Sequence, residues 1–313
     1  MTMLLALRGV TIETWRDALA AAAPDLPVVV AGEACDPATI RYALVWKPQP
    51  GLLADLPNLQ AIFSLGAGVD HLMGDPTLPG APVVRVVDPD LTGRMTEWVV
   101  LQVLMHHRRQ RLYDRQQRDR VWRDLSQPAA REIRVGVMGL GVLGLDAAKA
   151  LMALGFDVAG WSRTVKGELD FPAFHGEAGL DLFLARTDIL VVLLPLTPDT
   201  RGLLDGALLA KLAQGGRLGG PVLINAGRGG LQVETDILAA LQAGTLVGGS
   251  LDVFQTEPLP ADSPLWADDR LVITPHVAAE SDPMAIGRYV ASQIAGFERG
   301  EPLQNVVDRS RGY

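Results

Sequence analysis

Short apolar runs recur along the chain, separated by longer stretches of mixed polarity. The first third carries them at Met3–Leu7, Pro27–Val30, Tyr42–Trp46, Ala61–Leu65 and Val83–Val86. After residue 130 they return at Val135–Met138, Val158–Trp161, Ile189–Leu193, Val222–Asn225, Gly248–Asp252 and Val272–Thr274. A strand flanked by helices on both faces is apolar at successive positions rather than at alternate ones, so these runs read as buried parallel strands with helices between most of them. The pattern predicts an α/β chain with two parallel, doubly wound sheets. The expected division is residues 1–98 plus 284–313 for one domain and 99–283 for the other. The chain would leave the first domain near Thr96–His107 and return near Asp282–Ile294. Gln214–Pro221 is rich in glycine and reads as a loop before a strand.

The stretch His106–Arg123 breaks this pattern, because His106, His107, Arg108, Arg109, Arg111, Arg115, Arg118, Arg120 and Arg123 make it strongly basic. Leu104, Leu112, Tyr113, Val121 and Trp122 interrupt the charge, which predicts one long helix with a packed and a solvated face. A subunit interface is the alternative use of such a helix. The net charge of -8 across 313 residues argues against a general nucleic-acid binder. No apolar run approaches a membrane span, and the N-terminus lacks a basic start before its apolar residues, so the expected location is cytoplasmic. Cys35 is the single cysteine and the five histidines are scattered, which leaves no intrachain disulfide and no plausible zinc cluster. Any redox chemistry must come from a bound cofactor.

The strongest signal is Arg134-Val-Gly-Val-Met-Gly139-Leu140-Gly141-Val142-Leu143-Gly144, an apolar strand running into Gly-x-Gly-x-x-Gly ahead of a helix. Gly139 permits the tight turn, Gly141 lets backbone approach a pyrophosphate, and Gly144 lets helix and strand pack closely. The helix N-terminus then offers unpaired N–H groups to phosphate. After the next strand, an acidic residue would hold the ribose 2'-hydroxyl of NAD. The chain instead reads Ser162-Arg163-Thr164-Val165-Lys166, two hydroxyls and two cations where a 2'-phosphate would lie. The expected cofactor is therefore NADP(H), preferred over NAD(H).

Chemistry gathers toward the ends of the later strands, where a doubly wound sheet places its ligands. Asn225-Ala226-Gly227-Arg228-Gly229-Gly230 offers an arginine, Asp252-Val-Phe-Gln-Thr-Glu257-Pro258 a carboxylate, and Thr274-Pro-His276 an imidazole. In this order, after a dinucleotide fingerprint, they make the chain resemble the D-2-hydroxyacid dehydrogenases over nearly its whole length. Val45-Trp46-Lys47-Pro48 and Ser64-Leu65-Gly66-Ala67-Gly68-Val69-Asp70 are most similar to the glyoxylate/hydroxypyruvate reductase branch, A type.

The resemblance implies two Rossmann-like domains with the active site in the cleft between them, a homodimer, and reduction of small 2-keto acids such as glyoxylate and hydroxypyruvate. It implies that Arg228 binds the substrate carboxylate and keto group, that Glu257 orients the histidine, and that His276 is the acid/base. Reducing a 2-keto acid needs hydride at C2 and a proton on the forming alkoxide. Histidine suits the proton transfer and the arginine fork suits a carboxylate. Backbone N–H groups of Gly66, Ala67, Gly68 and Val69 could form a nest for the carboxylate, with Trp46 as a pocket wall. Leu194, Pro195, Thr200, Ala226 and Gly227 are expected along the cofactor, and the resemblance puts Asp252 at the nicotinamide amide.

Two other readings stay open: a reductase for a larger D-2-hydroxy acid, and a non-catalytic NADP(H)-sensing scaffold. Intact Arg228, Glu257 and His276 argue against a pure sensor, and the acidic Glu257 in place of glutamine argues against formate as substrate.

Overall fold

The apolar runs become strands close to their expected limits. In the computed structural model, which describes all residues Met1–Tyr313, the chain forms two units: Met1–Leu91 with Glu280–Tyr313, and Thr92–Ala279. The passage between units falls after Leu91 and again after Ala279, beside expected cuts after residues 98 and 283.

The first unit opens with β1 (Thr2–Leu7), α1 (Ile12–Ala22), β2 (Val28–Val30), β3 (Ile40–Trp46), β4 (Ala61–Ser64), α2 (Asp70–Met73) and β5 (Val83–Val84). These strands form one parallel sheet in the order β2-β1-β3-β4-β5. Helix α3 (Pro89–His107) follows and carries the chain across the boundary. Its first turn is held by the Asp88 carboxylate, which accepts from the Asp90 and Leu91 amides at 2.9 and 3.3 Å.

The second unit continues through α4 (Gln110–Asp119), β6 (Arg134–Met138), α5 (Val142–Ala153), β7 (Asp157–Ser162), β8 (Ala173–His175), α6 (Gly176–Ala185) and β9 (Ile189–Val192). It closes with α7 (Gly206–Leu209), β10 (Val222–Asn225), α8 (Glu234–Ala243), β11 (Gly248–Leu251) and β12 (Leu271–Ile273). All pairings are parallel, in the order β12-β11-β10-β9-β6-β7-β8. The central strands are buried on both faces, with Leu190, Val192 and Leu223 in one core and Val135, Val137, Val191 and Ile224 in the other. Such two-sided burial explains why their sequences are continuously apolar. Helix α9 (Pro283–Glu298) then returns to the first unit, capped by Asp282, whose carboxylate accepts from Ala285 N at 2.7 Å. Its Ile286, Val290 and Ile294 join Trp15 and Leu19 of α1 in the core.

The basic stretch departs from expectation, since it is not one long helix. The backbone turns left-handed at Arg109 (φ 55°), ending α3, and again at Arg120 (φ 56°), ending α4. Two of the arginines are drawn to carbonyl groups, while Arg108, Arg118, Arg120 and Arg123 stay exposed. Arg109 donates to the Ser126 and Arg217 carbonyl oxygens at 3.1 Å, and Arg111 to those of Asp269 and Leu271 at 3.2 and 3.3 Å. Val121 and Trp122 lie exposed beyond α4. Strand β8, short and polar-flanked at the sheet edge, also has no counterpart among the sequence expectations.

The Gln214–Pro221 segment is a loop, as expected, with left-handed Gly219. Gly216 sits against the buried Asp188 carboxylate, where a side chain would collide. That carboxylate accepts from Arg134 at its backbone N (2.9 Å), Nε (3.0 Å) and Nη2 (2.7 Å), tying the start of β6 to the start of β9.

His106 and His107, expected to add to the basic face, are instead enclosed. His106 Nε2 pairs with the Ser250 hydroxyl at 2.9 Å, and that hydroxyl donates to Gln102 Oε1 at 2.8 Å. Burial, with a smaller push from the Arg111 charge, holds the His106 imidazole down at about 4. The unfolded chain, with an ordinary histidine near 6.5, therefore takes up a proton that the folded protein refuses between those values. Stability is fully present above pH 6.5 and falls as the pH drops toward 4, by up to ~3 kcal/mol at ~1.4 kcal/mol per pH unit. Chemical denaturation at a series of pH values checks this: His106→Gln should flatten that part of the profile, whereas an unchanged slope would assign the loss to other groups.

Candidate active site

Six loops leave the C-terminal ends of neighbouring strands in the second unit. Backbone hydrogen bonds carry the sheet's register into them: Leu193 N to Met138 O (2.9 Å), Ala226 N to Val192 O (3.2 Å), Asp252 N to Asn225 O (3.0 Å) and Thr274 N to Leu251 O (3.1 Å). The residues of this unit singled out in the sequence therefore lie side by side at the C-terminal end of one sheet, by chain geometry alone.

After β6, Gly139 is left-handed (φ 113°) and packs against the Leu193 carbonyl. A side chain on Gly144 would overlap the Gly139 carbonyl oxygen, so only glycine lets α5 start this close to the strand. Leu140 is buried and Leu143 partly so, while Gly141 and Val142 are exposed, and the space where Gly141 would carry a Cβ is open. Backbone reachable from solvent at a helix N-terminus is what a pyrophosphate requires, so the residues present fit a dinucleotide.

Strand β7 ends on buried Ser162, whose hydroxyl donates to the Thr164 carbonyl at 2.8 Å. Arg163, Thr164 and Lys166 follow, all exposed. Arg163 Nη1 lies 3.1 Å from Asp199 Oδ2. Asp199 belongs to the loop after β9, which contains buried Leu194 and partly buried Pro195. Thr200 closes that loop on itself, accepting from Thr197 N at 2.9 Å and donating to the Pro195 carbonyl at 2.7 Å. Ala226 and Gly227 are buried after β10, with Gly227 pressed against the Leu194 carbonyl.

Arg228 follows, partly buried, its Nη1 donating to the Gly227 carbonyl at 2.8 Å. Asp252 is buried at the end of β11. Its carboxylate accepts from Thr274 Oγ1 (2.6 Å), Val277 N (2.9 Å) and Ala278 N (2.9 Å), while its own carbonyl accepts from His276 N at 2.9 Å. These bonds clamp the segment in which His276 adopts a left-handed backbone (φ 57°), a conformation that costs a non-glycine residue about 1–2 kcal/mol. Glu257 meets the imidazole from the other side, with Oε2 2.9 Å from His276 Nδ1 and Oε1 accepting from Phe254 N at 3.2 Å. With Nδ1 engaged by the carboxylate, the exchangeable proton of a charged imidazole sits on Nε2. Asn225 and Gln232, two buried amides beside this group, were not found from sequence, because a buried amide leaves no periodic signature.

In the first unit, Trp46 ends β3 and meets the His71 ring edge-on, centroids 4.7 Å apart. Gly66, Ala67, Gly68 and Val69 form the loop between β4 and α2. A Cβ on Gly66 would stand 2.8 Å from the Trp46 ring, so glycine is what allows this loop to lie against the indole.

Fold and site together define a nicotinamide-cofactor oxidoreductase, and the chain belongs to the D-isomer specific 2-hydroxyacid dehydrogenases, whose NAD-binding domain model matches residues 100–278. It is 42% identical to glyoxylate/hydroxypyruvate reductase A of Klebsiella pneumoniae strain 342 over 278 residues, 87% of each chain. Among solved structures it is similar to the NADPH-dependent glyoxylate/hydroxypyruvate reductase of Sinorhizobium meliloti in complex with NADP and sulfate. That similarity has a TM-score of 0.95 and 50% identity, covering 100% of this chain and 99% of that one. A probable 2-hydroxyacid dehydrogenase from Rhizobium etli CFN 42, in complex with NADP, HEPES and L(+)-tartaric acid, gives a TM-score of 0.94 at 51% identity with the same coverage.

The loop after β7 generates a direct test. Replacing Arg163 by Asp together with Ser162→Ala removes a cation and supplies a ribose acceptor. The ratio of kcat/KM for NADPH over NADH should fall by roughly 10- to 100-fold, the scale of one charge-assisted contact. An unchanged ratio would remove Arg163 from cofactor selection.

Proposed function

We propose that the protein reduces small 2-keto acids, glyoxylate and hydroxypyruvate first among them, to the corresponding 2-hydroxy acids with NADPH. The observation that carries this reading is the 2.9 Å pairing of Glu257 with His276 Nδ1 at the sheet end shared with Arg228 and the dinucleotide turn. The relatives support the same substrates and cofactor, since those of Klebsiella and Sinorhizobium are glyoxylate/hydroxypyruvate reductases and both cited structures hold NADP.

Bound NADPH supplies hydride to the keto carbon. The remaining work belongs to the chain. Arg228 holds the substrate carboxylate with its guanidinium fork and polarises the keto oxygen, on which negative charge develops. His276, charged and oriented by Glu257, gives its Nε2 proton to that oxygen, so the C=O bond becomes CH–OH and the imidazole ends neutral. The reverse reaction starts from neutral imidazole as base. The glycine turn 139–144, with Leu140, Val142 and Leu143, receives the pyrophosphate. Arg163, Thr164 and Lys166, at the exposed end of β7 beside Ser162, receive the 2'-phosphate. Leu194, Pro195, Thr200, Ala226 and Gly227 would border the cofactor. Asp252 has a structural duty in clamping the His276 segment, and the nicotinamide amide is a further partner for its loop. In the first unit, the N–H groups of Gly66–Val69 are suited to a carboxylate and Trp46 to an apolar wall.

The proposal includes a cytoplasmic homodimer, with the exposed Val121 and Trp122 beyond α4 as the apolar surface that a second copy would cover.

Initial rates of NADPH and NADH oxidation against glyoxylate, hydroxypyruvate, pyruvate and a bulky aromatic 2-keto acid test the assignment. Fast NADPH turnover with the two smallest acids is expected. Turnover only with the bulky acid would favour a larger substrate, and NADPH binding without any turnover would contradict the reading. In the same assay His276→Ala should bind NADPH normally and lose about 10²- to 10⁴-fold in kcat, the usual contribution of a positioned general acid. Wild-type turnover in that variant would remove His276 from the reaction.

A further inference from the structure

Arg228 and Glu257 stand on different loops, one after β10 and one after β11, yet the arginine that holds the substrate and the carboxylate that orients His276 must keep a fixed geometry. The two loops are pressed together, since a Cβ on buried Gly229 would overlap the backbone of Phe254. Gln232 joins them from within. It is fully buried, its Nε2 donates to the Val253 carbonyl at 2.9 Å, and its Oε1 accepts from Asn225 Nδ2 at 2.9 Å. Asn225, equally buried, accepts from Gly227 N at 3.0 Å and reaches the Arg228 carbonyl with Nδ2 at 3.3 Å. Gln255 completes the tie by donating from Nε2 to the Gln232 carbonyl at 2.7 Å.

The amide orientations are mutually fixed. Gln232 must present nitrogen to a carbonyl on one side and oxygen to an amide on the other, while Asn225 must present oxygen to the Gly227 N–H. No single apolar or charged side chain offers both a donor and an acceptor there without leaving buried groups unpaired or burying a charge. From Val253 the chain leads to Phe254, whose N–H binds Glu257 Oε1, and Glu257 Oε2 meets His276. Hydrogen bonds, joined through the Val253–Phe254 peptide, thus lead from the Arg228 backbone to the His276 ring, with Gln232 at their centre.

We infer that Gln232 is a positioning residue, which sets the substrate-holding Arg228 and the Glu257–His276 pair in a single frame. The inference rests on the reductase reading above. It touches neither substrate nor cofactor, and acts by removing the freedom of the two loops to slide past one another. Loosening that frame weakens both carboxylate binding and proton delivery, while the glycine turn after β6, held by other contacts, keeps its affinity for NADPH.

The test is Gln232→Met in the full-length protein, comparing NADPH affinity and stoichiometry with kcat and KM for glyoxylate. The expected result is a 10- to 100-fold fall in kcat/KM, with KM raised and kcat lowered, and with NADPH bound within twofold of the wild-type Kd at one per chain. A merely structural role would instead reduce the number of NADPH sites and leave KM unchanged. The milder Gln255→Ala removes only the outer tie from a solvent-exposed side chain. It should lower kcat/KM about two- to fivefold, with unaltered NADPH binding, even if Gln232→Met does not fold. Wild-type kinetics in Gln255→Ala or in a folded Gln232→Met, or a loss matched by loss of NADPH sites, would overturn the inference. Failure of the wild-type protein to reduce any 2-keto acid would instead overturn the reductase reading.

Discussion

The Asp252 carboxylate is the constraint on which the candidate site depends. It is buried at the end of β11 and accepts from Thr274 Oγ1, Val277 N and Ala278 N. A buried carboxylate demands donors, and here the demand is met by the segment containing His276. The left-handed backbone at His276 is unfavourable in isolation and persists because the residues on both sides are held. Glu257 then needs only to fix the ring. Position and orientation of the imidazole are thus set separately, the first by a clamp on the backbone and the second by a hydrogen bond to Nδ1.

The sheet supplies the rest of the arrangement through order alone. Adjacent strands β6, β9, β10, β11 and β12 each end in a loop that carries one part of the proposed chemistry: glycine turn, cofactor border, arginine, carboxylates and histidine. Close backbone approaches at Gly139, Gly227 and Gly229 replace side-chain packing between these loops, so the groups they carry have little room to drift. The cations after β7 are different in kind. They are exposed, and Arg163 is paired with Asp199 on water-accessible surface, where an ion pair contributes little.

Much of this was legible in the sequence because burial on both faces of a parallel sheet leaves an unmistakable run of apolar residues. Ile189–Val192 and Val222–Asn225 are such runs, and their ends lead straight to the chemistry. The family resemblance supplied the order Arg228, Glu257, His276, and the structure brings Glu257 and His276 into contact. Other features left no pattern. Strand β8 is three residues long with exposed ends, and its pairing with β7 comes from tertiary contact. At the break, the Arg109 guanidinium meets the Ser126 and Arg217 carbonyls, far from it in sequence. Asn225 and Gln232 are polar residues whose meaning lies in complementary donors and acceptors brought together only by folding. His106 and His107 add to a basic run by composition, yet burial removes them from it.

The measurement that bears most directly on this account is single-turnover oxidation of bound NADPH by glyoxylate in Asp252→Asn, read beside NADPH affinity. An amide cannot accept from all of Thr274, Val277 and Ala278, so the clamp loosens while the ring and its Glu257 partner remain in the chain. The turnover step should fall at least 100-fold with NADPH affinity within about fivefold of wild type, ~3 kcal/mol lost from the transition state alone. A wild-type turnover rate in that variant would contradict it.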